Sequence, residues 1–439
     1  MQSASVAKVW FLLSVAILGI AYGIVANERG WFPSDIARKA WKQGHVLLPI
    51  SEPPFLNNRV YNRSGTRTPG KGEMQPGLTL ITSSWRTSDG WKVGAKLIGE
   101  SGTVYHEWLT DRRKLFRGDR GYRKNPRQTD LHGTYLFPNG DVLVNLEYIG
   151  TARLDACGKV LWTLAEGSHH SIARASDGTF WIPGVSQETR RGSERFPRGF
   201  PGLGEELWMD RMLQVSSDGT LLRDINILDV IYKNRLEYLF FKYRSLNGDI
   251  THMNDIEPIK KPMAKRYPNL NEGDIMVSLR YLNVVFIMDN STERVKWFTT
   301  RPFIAQHDPD FIGGGWIGVF DNNRDYSGGR VLGGSRIVAI RPKDGKREVR
   351  FPTKRSEPFY TNLRGKWQQL RNGNLLLTES QAGRVVEVNP DGETVWEWVH
   401  RPVKDSRVPS VTKAQRYPLT PSDVASWPCA SAESTNGSK

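Results

Sequence analysis

Cysteine is nearly absent from this sequence of 439 residues, which contains only Cys157 and Cys429. Two thiols do not form a disulfide framework, and one possible pair so far apart in sequence does not indicate a redox compartment. They are also too few for a structural zinc site, which needs four protein ligands. The sequence contains no His-x-His or His-x-x-x-His pair. We therefore expect neither a metal nor a cofactor.

Amphipathic helices and clusters of basic residues are scarce as well. Helical periodicity is confined to a short stretch at residues 224–243. The formal net charge is +15, but the lysines and arginines are scattered and no zinc or RNA-binding signature accompanies them. Such an excess is typical of a solvated basic surface. We therefore expect no nucleic-acid partner.

One long hydrophobic run is present, VWFLLSVAILGIAYGIVA at residues 9–26, directly after Lys8. Its length suits a transmembrane helix or a signal peptide, and the residues before Asn27 make a poor cleavage site. Residues 1–28 are therefore predicted to be a membrane anchor or an uncleaved signal, with the bulk of the chain on the periplasmic or extracytoplasmic side. Residues 29–75, rich in Pro, Arg and Asn, are predicted to form a linker.

From Leu78 onwards, short β-like runs alternate with Asp-Gly and Asn-Gly turns. These dipeptides suit hairpins because Gly and Asn tolerate a positive φ. A unit of four short strands recurs six times, usually with a Trp near its end. This pattern predicts an all-β fold, a six-bladed β-propeller at residues 76–418 whose ring is closed by the segment ending in AQRYP. Two β-sandwiches in tandem would not explain the shared register. A disordered tail is predicted at residues 419–439.

Histidine is rare too, yet five of the eight histidines open a segment of this repeated form. They are His132, His169, His170, His252 and His307. In a propeller, the first strand of each blade lines the central channel and begins at one face. His132, His170, His252, His307 and, in the last blade, Trp367 occupy equivalent places, so we expect them to converge on one funnel.

Three interpretations fit such a cluster. The histidines are structural, or they bind a metal with help from Asp255 and Asp308, or they transfer an anionic group. The last needs an imidazole nucleophile, a second histidine that moves a proton, and an arginine that binds the anion, for which Arg280 at the end of MVSLR is placed. Four histidines in equivalent positions favour this third interpretation.

Four motifs carry a resemblance to a known family. They are HH at 169–170, THMND at 251–255, IMVSLR at 275–280, and QHDPDFI at 306–312 followed by IGVFDNN. In this order they resemble the bacterial arylsulfate sulfotransferases, periplasmic six-bladed propellers that move a sulfuryl group from an aryl sulfate ester to a phenol. The resemblance covers about residues 80–410.

The resemblance implies a role for several residues. His307 would be the nucleophile that becomes transiently sulfated, Arg280 and His252 would hold the sulfate oxygens, and His170 would manage the phenol proton. We place His169, Asn254 and Trp367 in the substrate-binding surface, whereas His132 is interpreted as structural or peripheral. The implied substrates are a small aryl sulfate and a phenolic acceptor, and no cofactor is required.

Two stretches depart from known patterns. The insertion KKPMAKRYPNLNEG at residues 260–273 is expected to form a lid or to lengthen a surface loop. DNNRDYSGG at 321–329 begins like a calcium loop, but Leu332 stands where the bidentate Glu is needed, which indicates a polar loop. A membrane-bound member could act on a glycan or a lipid-linked acceptor. The rival interpretation is a non-enzymatic propeller that binds a partner or glycan at the same funnel.

Overall fold

The computed structural model describes residues 2–29, 53, 55–70, 72–116, 129–242, 248–403 and 406–429. The chain divides into two compact units, Met1–Pro54 and Phe55–Lys439. The first contains the predicted apolar helix, α1 (Gln2–Arg29), in which Lys8–Ala26 is long and apolar enough to cross a membrane. A helix of this kind near an N-terminus is typical of both membrane anchors and signal sequences.

The second unit is the predicted six-bladed propeller, in which every blade is an antiparallel sheet of four or five strands. Two short strands come first, β1 (Leu56–Asn58) and β2 (Gly65–Arg67). The first blade contains β3 (Leu78–Thr87), β4 (Gly90–Ile98) and β5 (Val104–Thr110). The second contains β6 (Leu131–Leu136), β7 (Val142–Leu146), β8 (Gly150–Leu154) and β9 (Val160–Leu164). The third contains β10 (Ala173–Arg174), β11 (Phe180–Val185), β12 (Asp210–Val215) and β13 (Leu221–Asn226).

The remaining blades repeat this arrangement. The fourth contains β14 (Met253–Pro258), β15 (Ile275–Leu279), β16 (Val284–Met288) and β17 (Val295–Thr299). The fifth contains β18 (His307–Gly313), β19 (Trp316–Asp321), β20 (Arg336–Arg341) and β21 (Lys346–Phe351). The sixth contains β22 (Lys366–Gln369), β23 (Leu375–Glu379), β24 (Arg384–Val388) and β25 (Thr394–Val399). Two strands follow, β26 (Arg407–Pro409) and β27 (Val411–Tyr417).

The ring is closed by the C-terminal strand, as the sequence predicts. β27 pairs with β3 and becomes the innermost strand of the first blade. At the other edge β2 pairs with β25 and adds a fifth strand to the sixth blade, while β1 pairs with β26. Residues 55–70 and 72–75 are therefore not the linker that the sequence suggests, because they belong to the propeller. Residues 30–52 lie outside the described part of the chain.

Helices are few in the described part of the propeller. They are α2 (Arg112–Leu115), α3 (Ile227–Lys233), α4 (Lys261–Ala264) and α5 (Pro421–Ala425), with 3-10 turns at Glu237–Lys242 and Ser380–Ala382. α3 and the first 3-10 turn account for the helical periodicity at 224–243. The core lies between neighbouring blades, where the buried faces of their strands pack together.

The end of the chain packs more tightly than the sequence suggests. Val424 in α5 and Trp427 are buried, and the Trp427 Nε1 donates a hydrogen bond of 2.9 Å to the carbonyl of Pro138. Cys429 forms a disulfide with Cys157, which fastens this segment to the second blade. The prediction of disorder from residue 419 onwards therefore does not hold for residues 419–429. Residues 430–439 lie outside the described part of the chain.

Strand direction sorts the loops into two ends of the propeller. In an antiparallel blade, the first strand begins where the second strand finishes. We call this end the histidine end, because β6, β14 and β18 begin there, at or beside His132, His252 and His307. The insertion at 260–273 connects β14 with β15 and lies at the opposite end. It is therefore not a lid over the histidines.

Candidate active site

Five histidines of the described chain meet at the histidine end, as the repeat predicts. His170 is central: its ring centroid lies 4.1 Å from that of His132, 4.9 Å from His169, 5.3 Å from His252 and 6.2 Å from His307. His252 is the most accessible, with 16% of its side chain exposed, whereas the other four are buried. The cluster brings together imidazoles from four consecutive blades, the second to the fifth.

The backbone is held in unusual conformations to present these rings. His170 and His252 have φ values of 53° and 48°, in the left-handed region that residues with a Cβ rarely adopt. The Asn145 amide nitrogen lies 3.1–3.4 Å from the carbonyls of His169, His170 and Ser171 and braces that turn. Residues with strained backbone conformations that the surrounding contacts hold in place are frequent at functional sites.

Hydrogen bonds fix the tautomer of His307. The amide nitrogen of Asn322 donates to the carbonyls of Thr361 and Arg364, both at 2.8 Å, so its Oδ1 must accept. That oxygen lies 2.6 Å from the His307 Nδ1, which therefore carries the proton. Burial lowers the pKa of His307 well below its usual value, and the charge of Arg280 lowers it further. His307 is thus a neutral imidazole whose Nε2 keeps its lone pair.

His252 is oriented in the same way by a carboxylate. Its Nδ1 lies 2.7 Å from Asp249 Oδ2, and its backbone N–H donates to Asp249 Oδ1 at 2.9 Å. The ring packs against that of Tyr281, with centroids 4.6 Å apart. The carboxylate accepts the Nδ1 proton and fixes the orientation of the ring.

Arg280 supplies a buried cation beside the histidines. It follows β15 directly, is 3% exposed, and donates its backbone N–H to the carbonyl of His252 at 3.1 Å. Its Nε and Nη2 have no hydrogen-bond partner among the described residues. Burial lowers the pKa of the guanidinium, yet an arginine stays charged in a protein. A buried cation with free N–H groups is costly unless an anion binds there.

His169 and His170 are connected to each other. Their Nδ1 atoms are 2.7 Å apart, so one nitrogen is protonated and the other accepts. Burial, followed by the neighbouring histidines, lowers the pKa of His170 well below its usual value. The His169 Nε2 lies 3.5 Å from Asp210 Oδ1, and its ring packs on Tyr148 at 4.7 Å. A proton on His170 can therefore pass to His169, whose Nε2 makes no hydrogen bond among the described residues but lies within ion-pair distance of Asp210.

Asn254 and Trp367 lie away from the cluster's open surface. Asn254 is fully buried, and its amide donates at 2.7 Å to the carbonyl of Gln306, the residue before His307. Trp367 is 5% exposed and packs between the fifth and sixth blades on Gly318, while its Nε1 donates to the carbonyl of Asp308 at 2.8 Å. Both residues hydrogen-bond to the backbone of the fifth blade's first segment and so position neighbouring strands.

A charged cluster lies inside the channel, and of its members only Asp255 and Asp308 were singled out from the sequence, as possible metal ligands. We call it the channel cluster; it consists of Asp255, Glu257, Asp308, Asp310, Lys366 and Lys413, all on innermost strands. The Lys366 Nζ is 3.0 Å from Asp255 Oδ1 and also contacts Asp308 Oδ1. Within the described residues no group of acids, histidines and cysteines is arranged to hold a metal ion.

Asn322 and Asp249, which orient His307 and His252, were not predicted from the sequence. Asn322 follows β19 directly, just as Arg280 follows β15. Comparison of these equivalent positions in the repeat is the signal that would have identified it. Asp249 lies three residues before His252, in a connection without a repeated pattern. Its contact depends on the turn at residues 249–252, which the sequence does not reveal.

Comparison with known protein families identifies the family of this chain. Residues 134–401 match the family described as Arylsulfotransferase (ASST). The chain belongs to this family. The matched range contains His169, His170, His252, Arg280 and His307, whereas His132 lies just before it. No curated protein matches the chain.

Solved structures with similar folds are distant from this arylsulfotransferase family member. A protein of unknown function from Bacteroides caccae has 13% identity and a TM-score of 0.44, covering 74% of this chain and 94% of its own. A streptogramin B lyase has 12% identity and a TM-score of 0.40, covering 84% and 100%. TolB from Acinetobacter baumannii has 9% identity and a TM-score of 0.41, covering 77% and 66%.

Proposed function

We propose that the histidine cluster transfers a sulfuryl group from an aryl sulfate ester to a phenolic or other hydroxyl acceptor, with His307 as the covalent carrier. The observation that carries the proposal is the buried guanidinium of Arg280, with two nitrogens unpartnered among the described residues, beside a neutral histidine of fixed tautomer. A sulfate ester supplies the missing anion. Family membership supports the general activity.

In the first half-reaction the His307 Nε2 attacks sulfur. The N–S bond forms as the S–O bond to the aryl group breaks, and the aryloxide leaves with the electron pair. Arg280 and His252 hold the sulfuryl oxygens while charge shifts over them. The ring becomes cationic, and its Nδ1–H stays bonded to the neutral Asn322 carbonyl. Because the partners of this Nδ1 among the described residues are neutral carbonyl oxygens rather than a carboxylate, the sulfuryl group remains easy to transfer.

In the second half-reaction the acceptor hydroxyl attacks the same sulfur. His170 takes the hydroxyl proton, the new S–O bond forms, and the N–S electron pair returns to the His307 Nε2. The contact between the Nδ1 atoms of His170 and His169 passes the proton charge towards Asp210. A low pKa keeps His170 unprotonated and ready to accept a proton at neutral pH. This scheme predicts ping-pong kinetics.

We also propose that the protein is membrane-anchored with its propeller on the periplasmic or extracytoplasmic side. Two observations support this placement. The apolar helix α1 is long enough to span a bilayer. The Cys157–Cys429 disulfide is of a kind that persists in oxidising compartments and is rare in the cytosol.

The test of the activity uses the full chain in detergent with 4-nitrophenyl sulfate and phenol. We expect nitrophenol release that depends on phenol, with loss of activity in His307→Ala. His106→Gln is the matched control, because His106 is also buried but lies outside the cluster, where its Nε2 contacts the carbonyl of Ala156. Sulfate binding without any release or adduct across several aryl sulfates would favour the non-enzymatic binding propeller.

A further inference from the structure

Exposed apolar side chains are distributed unevenly over the loops of the propeller. Among the described loops, every large apolar side chain with high exposure belongs to the histidine end or to the segment between β1 and β2. These residues are Val60, Tyr238, Phe241, Tyr281, Tyr326, Val331, Leu332 and Leu363. The described turns at the opposite end have none, and the others on the propeller are on outermost strands. A one-sided apolar surface is typical of an interaction site.

The most prominent apolar group is on the loop between β19 and β20, residues 322–335, where Tyr326 is 83% exposed and Val331 74% exposed. The carboxylate of Asp325 accepts the backbone N–H groups of Ser327 and Gly329 at 2.9 Å, and those of Val331 and Leu332 at 3.0 Å. This loop is therefore pre-organised, and its apolar tip is held outwards.

The same loop is coupled to the histidine cluster and carries positive charge. Its first residue, Asn322, is the hydrogen-bond partner of His307. Arg324 lies 4.4 Å above the ring of Tyr326, and Arg330 is exposed. The loop's acid, Asp325, is already engaged by four backbone N–H groups. The exposed Arg330 beside an apolar tip complements a surface that is apolar inside and anionic outside.

The chain also joins the propeller at this end. The first strand, β1, pairs with β26, which leads directly into the start of β27 at the histidine end. The side chain of Asn57 contacts Ser410 there at 2.7 Å. The first described strand of the propeller unit therefore begins at the histidine end.

We propose that the histidine end docks on an anionic lipid bilayer, with the tip of loop 322–335 in the interface. An active site facing a bilayer would draw its acceptor or donor from it, so the substrate class becomes amphiphilic phenols or aryl sulfates held in the membrane. This second part rests on the proposed sulfuryl transfer, whereas the docking does not.

The docking test uses the full chain in nanodiscs and an environment-sensitive dye on one introduced thiol. The described part of the chain has no free cysteine that would compete. Val331→Cys reports on the tip, and Val349→Cys is the matched control, because Val349 is 54% exposed but lies on the outermost strand β21. We expect blue-shifted emission and protection from iodide at position 331 only, and more strongly in phosphatidylglycerol than in phosphatidylcholine discs.

Equal iodide access at positions 331 and 349 would overturn the docking. So would a shift at 331 that follows protein concentration rather than lipid composition, since it would indicate a second copy of the chain as the partner. The substrate arm compares the double variant Val331→Asp/Leu332→Asp with the native chain. We expect unchanged transfer between soluble substrates and about tenfold slower transfer to an alkyl phenol in anionic discs.

The docking test and the substrate test distinguish membrane docking from the proposed sulfuryl transfer. Failure of the native chain with every aryl sulfate, together with iodide protection of the dye in Val331→Cys, would refute the proposed function and leave the docking intact. Equal transfer to the membrane phenol by the native chain and the double variant would refute the assignment of membrane substrates.

Discussion

Lys366→Met is a stringent test of the charge balance inside the propeller. The side chains of Lys366 and Asp255 are 4% and 5% exposed, and that of Asp308 is 13% exposed. Burial acts against the charge of Lys366, but the Asp255 and Asp308 carboxylates outweigh it and raise its pKa. Methionine keeps the volume of the side chain and removes the cation. It therefore leaves carboxylates buried without their counter-ion.

Breaking a buried ion pair from one side costs about 3–5 kcal/mol. For a unit of about 385 residues this corresponds to a Tm lower by roughly 4–6 °C. Asp308 keeps the N–H of Trp367 at 2.8 Å, so Asp255 bears more of the loss. Thermal unfolding followed by tryptophan fluorescence measures the difference.

The loss should depend on pH, with a defined sign. Burial raises the pKa of Asp255 in the native protein, and removing Lys366 raises it further. The folded variant then binds more protons than the unfolded chain, so its stability falls as pH rises above the unfolded pKa. The Tm deficit should be larger at pH 8 than at pH 5. A deficit that is absent, or equal at both pH values, would refute the reasoning.

Lys413→Met provides the matched control in the same channel. The Lys413 Nζ donates to the carbonyl of Thr134 at 2.8 Å, and burial, then the charge of Lys366, lowers its pKa to about 8. Below pH 8 the amine is charged in both folded and unfolded chains, so its burial penalty acts in full. Removing it should leave the Tm at pH 7 unchanged or higher. A loss comparable to that of Lys366→Met would contradict this account.

Three further predictions concern the site and the disulfide. Asn322→Asp should lower kcat by about 10²–10³-fold and shift the acidic limb of the pH–rate profile upwards, because a carboxylate raises the pKa of His307; an unshifted limb would refute the tautomer argument. Arg280→Lys should lower kcat/KM by about 10²-fold, because one ammonium group cannot replace the planar guanidinium and its several N–H donors. Near-native kinetics would show that the guanidinium does not bind the sulfuryl group. Cys157→Ser/Cys429→Ser should reduce stability by about 2–5 kcal/mol in denaturant unfolding, and a reductant should then have no additional effect, unlike in the native chain.

The fold could be predicted from the sequence because the repeat consists of local signals, namely turn dipeptides and strand lengths. Asp-Gly and Asn-Gly turns divide strands of nearly constant length, so the blades can be counted without tertiary information. The same register predicted that His132, His170, His252 and His307 would converge, and their ring centroids confirm this.

The repeat gave a wrong prediction for the last blade, where a Trp and not a His occupies the equivalent position. Trp367 stands at the innermost strand of the last blade, but its ring turns into the blade interface, and Lys366 faces the channel instead. Alternation along a strand decides between these two directions, and a one-residue error reverses it.

Long-range pairings were the other gap in the prediction. The disulfide joins residues 272 positions apart, and Trp427 reaches the carbonyl of Pro138 across a similar separation. The partners Asp249 and Asn322 act through geometry at the ends of strands. Neither kind of contact leaves a periodic pattern, so only the three-dimensional structure reveals them.

The most direct test of the account is a rapid-mixing experiment with 4-nitrophenyl sulfate and no acceptor. We predict a burst of one nitrophenolate per chain, together with a sulfuryl-sized mass increase on the peptide containing His307 that disappears when phenol is added. A burst with the mass increase on another histidine of the cluster, or phenol-dependent release without any covalent adduct, would contradict the assignment of His307 as the carrier.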